Sequence, residues 1–244
     1  NVDYNFKSTF EKISKKSNVY IKKSFKIALE ILKKNKFSKF INGPISKKHF
    51  LEGKSLGITE YLAKETIKKN EVVMLIFNNK LSVSPLTTHL ALKDVHKYVS
   101  KKKIYTHIKL ITEFYKKNFK KKPKIAITGL NPHCESNFKD CEENAIITPA
   151  IKNLKNKNFN VEGPFPADTI FMQKHLKKFD VIVGMYHDQV LTPMKALFEF
   201  DAINITLGLP FVRISPDHGP NSSMLGKNIS DPKSLIEALK FLDK

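Results

Sequence analysis

The segment DVIVGMYHDQVLTPMKALFEFDAINITLGLPFVRISPDHG, Asp180 to Gly219, decides how the rest of the chain is read. It opens on Val181, Ile182 and Val183, a β-branched run that reads as a buried strand, and it releases His187-Asp188-Gln189 where that strand would end. Chain leaving the C-terminal edge of a parallel sheet is where α/β proteins hold their ligands. Further apolar runs, Ala202 to Leu207 and Phe211 to Ile214, carry Asn204 and Arg213. Arg213 is the only arginine in the sequence; the positive charge is otherwise built from lysine. A guanidinium set between Val212 and Ile214 suits a two-bond grip on phosphate or carboxylate, or a structural ion pair with a buried acid.

A chain of 244 residues has room for one large domain or two small ones and for a substantial core. Its formal net charge of +20 raises the question of a polyanionic partner. The lysines, however, are scattered in short clusters along the whole length, and no RNP, zinc-finger or helix-turn-helix pattern goes with them. We read them as solvated helix faces with no nucleic-acid partner, whose summed field draws anionic metabolites to any cleft. Cys134 and Cys141 alone would leave a metal short of ligands. The sequence shows no signal peptide and no bilayer-spanning apolar run, so a cytoplasmic location and no membrane partner are expected.

Outward from the opening segment, strands and helices alternate. Ser24 is expected to cap a helix bearing Phe25, Ala28, Leu29 and Leu32, and Ser46 a short one after the turn at Asn42-Gly43-Pro44. Thr59 is placed as the N-cap of another helix, whose free N–H groups would suit an anion. Val72 to Phe77 and Leu81 to Leu86 form a hairpin around Asn78-Asn79-Lys80. Asp94 is expected to cap a long helix with Ile104, Ile108, Ile111 and Tyr115 on one face. Strands follow at Lys124 to Leu130 and Phe159 to Gly163, helices at Thr148-Pro149, at Asp168 and from Ser230 or Asp231 to Leu242. This order predicts an α/β fold with a mostly parallel sheet.

His89, His133 and His187 each come directly after an apolar strand. Strands of one parallel sheet end at one edge, so these imidazoles can converge, and such a set with an open position is what a catalytic divalent metal requires. Each taken alone reads as a hydrogen-bonded loop residue, and it is the repetition that suggests a metal; the other five histidines lack that context, and four of them read as solvated or packed. Lys195, Asn204 and Arg213 follow His187 and together suit a phosphate, although Lys195 taken alone reads as solvated background charge. Asp168 and Asp188 would orient an imidazole or act as bases, Asp168 being equally a helix cap. No GxGxxG or Walker sequence occurs. The residues therefore point to a metal-assisted enzyme acting on a small phosphorylated or carboxylated molecule.

The motifs TTHLAL (87–92), TGLNPH (128–133), GPFPADTIF (163–171), MYHDQVLTPMK (185–195) and NITLGLPFVRISPDHG (204–219), with GPISK (43–47) and GITE (57–60), resemble the 4-hydroxythreonine-4-phosphate dehydrogenases, the PdxA family of vitamin B6 biosynthesis. The resemblance implies a two-domain fold similar to isocitrate and isopropylmalate dehydrogenases, and a homodimer whose active sites draw on both subunits. It divides the chain into a terminal α/β domain, 1–48 plus 196–244, and a central one, 49–195, with dimerisation and metal-binding loops. It implies His89, His133 and His187 as metal ligands, Thr59, Lys195, Asn204 and Arg213 as substrate contacts, and Asp168 and Lys195 as catalytic residues; no cofactor-binding residue is assigned.

The implied cofactors are NAD or NADP and a divalent metal, Zn, Mg, Co or Mn. The implied reaction is oxidation of 4-phosphohydroxy-L-threonine and decarboxylation to 3-amino-2-oxopropyl phosphate. Alternatives are a paralogue acting on 4-phospho-threonate or 4-phospho-erythronate, and a non-catalytic, basic nucleic-acid-binding protein on the same fold. The sequence departs from the family pattern at Ile58, where GHTE has histidine, and at Cys134-Glu135-Ser136-Asn137-Phe138-Lys139, where a glycine-rich loop is usual. The family's amino-terminal SxGDPxGIGPE segment is missing from this sequence, which reads either as a piece of a longer protein or as a chain without that strand and helix.

Overall fold

The structure, a computed structural model, describes residues 1–8, 10–34, 38–51, 55, 57–67, 72–135, 140–220 and 222–243. In chain order the main elements are α1 (Lys15–Lys33), β1 (Lys39–Ile41), α2 (Lys47–Leu51), α3 (Ile58–Thr66), β2 (Val73–Phe77), β3 (Ser82–Pro85), α4 (Val95–Tyr98), α5 (Lys101–Phe119) and β4 (Ile125–Thr128). They continue with a π-helical turn (Glu143–Ile147) running into α6 (Thr148–Asn156), then β5 (Val161–Phe165), α7 (Gln173–Leu176), β6 (Val181–Gly184), α8 (His187–Phe198), β7 (Ile203–Leu207), β8 (Val212–Pro216) and α9 (Lys233–Leu242).

The strands form one 8-stranded sheet in the order β1, β8, β7, β2, β3, β6, β4, β5. Pairings β1/β8, β3/β6, β6/β4 and β4/β5 are parallel, whereas β8/β7, β7/β2 and β2/β3 are antiparallel. The expected α/β architecture with a parallel majority is present, and β2 and β3 are the expected hairpin. Side chains alternate across the sheet as the strand period demands. Val73, Leu75, Ile125, Ile127, Val181, Val183, Ile205 and Ile214 enter one core with α5, α6 and α9. Met74, Ile76, Val83, Ala126 and Ile182 enter a second core with Val190 and Met194 of α8. Burial on both faces is why these strands read as unbroken apolar runs.

A third cluster joins Phe25, Leu29 and Leu32 of α1 to Phe50, Leu51, Ile58 and Leu62. Helix α1 begins earlier than expected because Ser14 and Ser17 form a reciprocal capping box. Ser24 lies inside the helix, donating its hydroxyl to Tyr20 O at 2.9 Å. Ser100, not Asp94, caps α5, accepting from Lys103 N at 3.2 Å, and Asp94 instead closes a short 3-10 turn. Gly57 is the N-cap of α3, with Thr59 in its first turn. Asp168 starts no helix; α7 begins at Gln173 behind Met172. Asp231 Oδ1 accepts from Lys233 N at 2.8 Å, supporting the start of α9. Positions Ser136 to Lys139 of the loop that departs from the family pattern lie outside the described residues. Among the described residues no helix is long and apolar enough to cross a membrane.

Candidate active site

The polar residues of β7 and β8 share a face because of the same alternation. Register pairs Asn204 with Ser215 and Thr206 with Arg213, while Ile205 and Ile214 between them point into the opposite core. Asn204, Arg213 and Ser215, with Met74 and Ile76 of β2, line a cavity of roughly 270 Å³. Thr59 and Ile58 from the start of α3, His89 from the turn after β3, and His187 and Lys195 from α8 close it. The cavity thus gathers Thr59, His89, His187, Lys195, Asn204 and Arg213, and leaves out His133 and Asp168.

Arg213 is 2% exposed. Its Nε donates to Asn42 Oδ1 at 2.8 Å and its Nη1 to Thr206 Oγ1 at 3.0 Å, both neutral acceptors. Burial pulls its pKa down to about 10, an effect opposed by the charge of Glu60. A cation held by neutral dipoles in a cavity wall is costly to bury, and an anionic ligand would offset that cost. Thr59 Oγ1 lies 3.4 Å from Thr206 Oγ1 and extends the network. Asn204 Oδ1 is buried and accepts no hydrogen bond from the described residues, which leaves it for a donor in the cavity.

Lys195 is positioned by Asp217, a residue the sequence reading did not single out. Its Nζ lies 2.6 Å from Asp217 Oδ2 and donates to Asp217 O at 2.6 Å. Burial pushes the Asp217 carboxyl above the usual carboxylate range, and the Lys195 ammonium partly restores it. Asp217 N in turn donates to Ser234 Oγ at 2.8 Å, which ties the SPDHG segment to α9.

The three histidine-bearing turns leave the same edge of adjoining parallel strands, β3, β6 and β4, as the sequence pattern implied. The rings of His89 and His187 lie 5.7 Å apart at 41°. The side chain of His133 is 73% exposed, with Nδ1 3.7 Å from Asp168 Oδ2. His187 Nδ1 lies 2.6 Å from Asp188 Oδ1. Asp188 therefore stands where it can orient the His187 imidazole, whereas Asp168 lies just beyond hydrogen-bond reach of His133. Among the described residues no three His, Cys, Asp or Glu side chains are close enough to hold a metal ion. The imidazole chemistry fits a divalent cation; within one chain the three imidazoles are a close pair, His89 and His187, plus an outlying His133.

The loop before His133 is anchored by Glu143, another residue that no motif revealed. This 1% exposed carboxylate accepts from Leu130 N at 2.7 Å, Asn131 N at 2.8 Å and Asn131 Nδ2 at 2.9 Å. Burial raises its pKa, but these hydrogen bonds outweigh burial and hold it below the usual range. His133 itself takes a left-handed conformation, φ 57°. The thiols of Cys134 and Cys141 are free, and burial pushes that of Cys134 up.

A family model described as "Pyridoxal phosphate biosynthetic protein PdxA" matches residues 1–242. A 4-hydroxythreonine-4-phosphate dehydrogenase from Sulfurihydrogenibium is 43% identical over 98% of this chain and 74% of its own length. A protein from Oceanobacillus iheyensis, provisionally named a D-threonate 4-phosphate dehydrogenase, is 37% identical over 88% of this chain and 65% of its own length. The crystal structure of 4-hydroxythreonine-4-phosphate dehydrogenase from Klebsiella pneumoniae superposes with a TM-score of 0.77 at 30% identity, over 93% of this chain and 70% of that one. An isocitrate dehydrogenase from Methylococcus capsulatus shares the fold at a TM-score of 0.54 and 11% identity, over 89% of this chain and 70% of that one. With these matches and its motif-lined cavity, the chain belongs to the PdxA family of oxidoreductases.

Proposed function

We propose that this protein oxidises 4-phosphohydroxy-L-threonine with NAD or NADP and decarboxylates the product to 3-amino-2-oxopropyl phosphate. In the first step the secondary alcohol loses a hydride to the nicotinamide and a proton to a base. The resulting β-keto acid then loses carbon dioxide, and the enolate left behind takes up a proton. The observation that carries this reading is the buried Arg213, held by neutral partners, in one cavity with Thr59, Lys195, Asn204 and the His89/His187 pair.

Arg213 and Thr59 would bind the phosphate, and the orphaned Asn204 Oδ1 would accept from a substrate hydroxyl or amino group. Lys195, paired with Asp217, would deliver the proton to the enolate. Asp168 would serve as base near the reacting carbons. His89, His133 and His187 would hold a divalent cation, Zn, Mg, Co or Mn, which when bound lowers the pKa of the alcohol and steadies the enolate. The exposure of His133 and Asp168 suits a homodimer in which each site draws on both subunits. The free thiols suit a cytoplasmic location.

A terminal lobe, 1–48 plus 196–244, and a central lobe, 49–195, would meet where β7 pairs with β2. The cluster uniting α1 with α2 and α3 favours moving the first boundary past α3. The 37% identity to a protein provisionally named a D-threonate 4-phosphate dehydrogenase favours the second reading, a 4-phospho-threonate or 4-phospho-erythronate substrate with a hydroxyl in place of the amino group, and Ile58 in the cavity wall offers one polar contact fewer than the family's histidine. The test is NAD(P)H formation by the full-length protein from each of these acids with Mg, Mn, Co and Zn. We expect metal-dependent turnover of 4-phosphohydroxy-L-threonine that is abolished in His187→Ala. Turnover of the threonate or erythronate alone would favour the second reading, and turnover of none would overturn both.

A further inference from the structure

We propose that Gln189 is a positioning residue that locks the turn carrying His187 to the neighbouring turn carrying His133; its consequence for cation binding rests on the reading of those imidazoles as ligands. The side chain of Gln189 folds back from the first turn of α8 over the ends of two strands. Its Oε1 accepts from Met185 N at 2.7 Å, within its own turn, and from Thr128 Oγ1 at 2.9 Å, at the end of β4. Its Nε2 donates to Gly129 O at 2.9 Å. A single amide thus satisfies backbone groups of both turns, as a carboxylate or an apolar side chain could not.

The glycines on either side fit this role. A Cβ on Gly184, the last residue of β6, would stand 3.0 Å from Gln189 Oε1 and 2.5 Å from Val190 Cγ1. A Cβ on Gly129 would stand 3.0 Å from Glu143 Oε1 and 2.7 Å from Cys134 Sγ. Both glycines clear the ground for side chains that grip the loop ahead of His133. Gln189 holds Gly129 O from the β6 side, and Glu143 holds Leu130 N and Asn131 N from the other. His133 follows two residues later, so its location depends on backbone fixed from both directions.

Two substitutions in the full protein separate this role from simple packing. Gln189→Met keeps length and removes every hydrogen bond; Gln189→Glu keeps the acceptors for Met185 and Thr128 but sets an oxygen against Gly129 O. Hydrogen exchange would be followed in peptides covering 129–135 and 185–191, with β2 and α5 as internal references, alongside Co(II) affinity. We expect Gln189→Met to speed exchange about tenfold or more in both turns, to leave the reference peptides unchanged and to weaken Co(II) about 10–100-fold. Gln189→Glu should loosen only 129–135.

Exchange that changes in 185–191 alone in Gln189→Met, or in neither turn, would overturn the lock. Equal Co(II) affinity of wild type and Gln189→Met would overturn its role in positioning the imidazoles. If the wild type takes up no Co(II) while both turns loosen together, the cation reading fails and the lock between the turns stands.

Discussion

Arg213 carries the most information of any single residue, and its meaning was divided until its surroundings were known. Composition alone marked it as the one guanidinium in a lysine-rich chain, yet could not separate a buried ion pair from an anion site. The neutral partners Asn42 and Thr206 support the second reading. Thr206 was legible in principle, since a two-residue period through Asn204-Ile205-Thr206 puts both polar side chains on one face. Asn42 was not, because nothing in a turn sequence says which strand lies beside it. Arg213→Lys would swap a fork for a point charge and break its bonds to Asn42 and Thr206. Losing charge-assisted bonds worth about 1.5–3 kcal/mol should raise KM for the phosphorylated substrate by roughly one to two orders of magnitude. Steady-state kinetics should show a much smaller change in kcat, because the phosphate is bound alike in ground and transition states. Unchanged KM would remove the phosphate role.

Among the elements, α5 makes the sharpest prediction. His107 lies on its buried face, with Nε2 2.7 Å from Ser84 Oγ on the sheet. Burial, with a smaller contribution from Lys103, lowers its pKa from 6.5 to about 3, so the folded protein holds it neutral. The unfolded chain binds a proton at His107 below pH 6.5 that the folded chain refuses. The stability due to neutral His107 is therefore complete above pH 6.5 and is lost as pH falls towards 3, by roughly 1.4 kcal/mol per pH unit. Denaturant midpoints for wild type and His107→Gln should converge as the solution is acidified; a constant gap would mean that His107 takes up its proton alike in the folded and unfolded chains. The apolar face of α5 was readable from the spacing of Ile104, Ile108, Ile111 and Tyr115. Its start was not. Ser100 and Asp94 are both good caps by type, and the difference is the extended Val99 between α4 and α5, an interruption of the helix that periodicity does not register. Ser14 and Ser24 pose the same ambiguity at α1, where the reciprocal bond with Ser17 decides.

At the scale of the whole molecule, alternating strands and helices announced the α/β class, and three strand-terminal histidines announced a common edge. The sheet order stayed hidden, because pairing between strands distant in sequence leaves no local trace. The antiparallel run through β2, β7 and β8 is what places Asn204 and Arg213 on a sheet face beside the edge that carries His89 and His187. The charge of +20 acts at this same scale. Screening lengths shrink from about 30 Å at 0.01 M salt to about 3 Å at 1 M, so distant lysines can steer an anionic substrate only in dilute salt. Arg213, at 2% exposure, is screened far less than the solvated lysines. Initial rates in a potassium chloride series should therefore show kcat/KM falling about tenfold or more as salt rises, with kcat at saturation nearly constant. Since the steering comes from the whole surface and the grip from the cavity, Arg213→Lys should lower the entire curve and leave its slope on ionic strength almost unchanged. A flat wild-type curve would show that the lysine excess does nothing for substrate capture, and a slope abolished by Arg213→Lys would place the steering charge in the cavity itself.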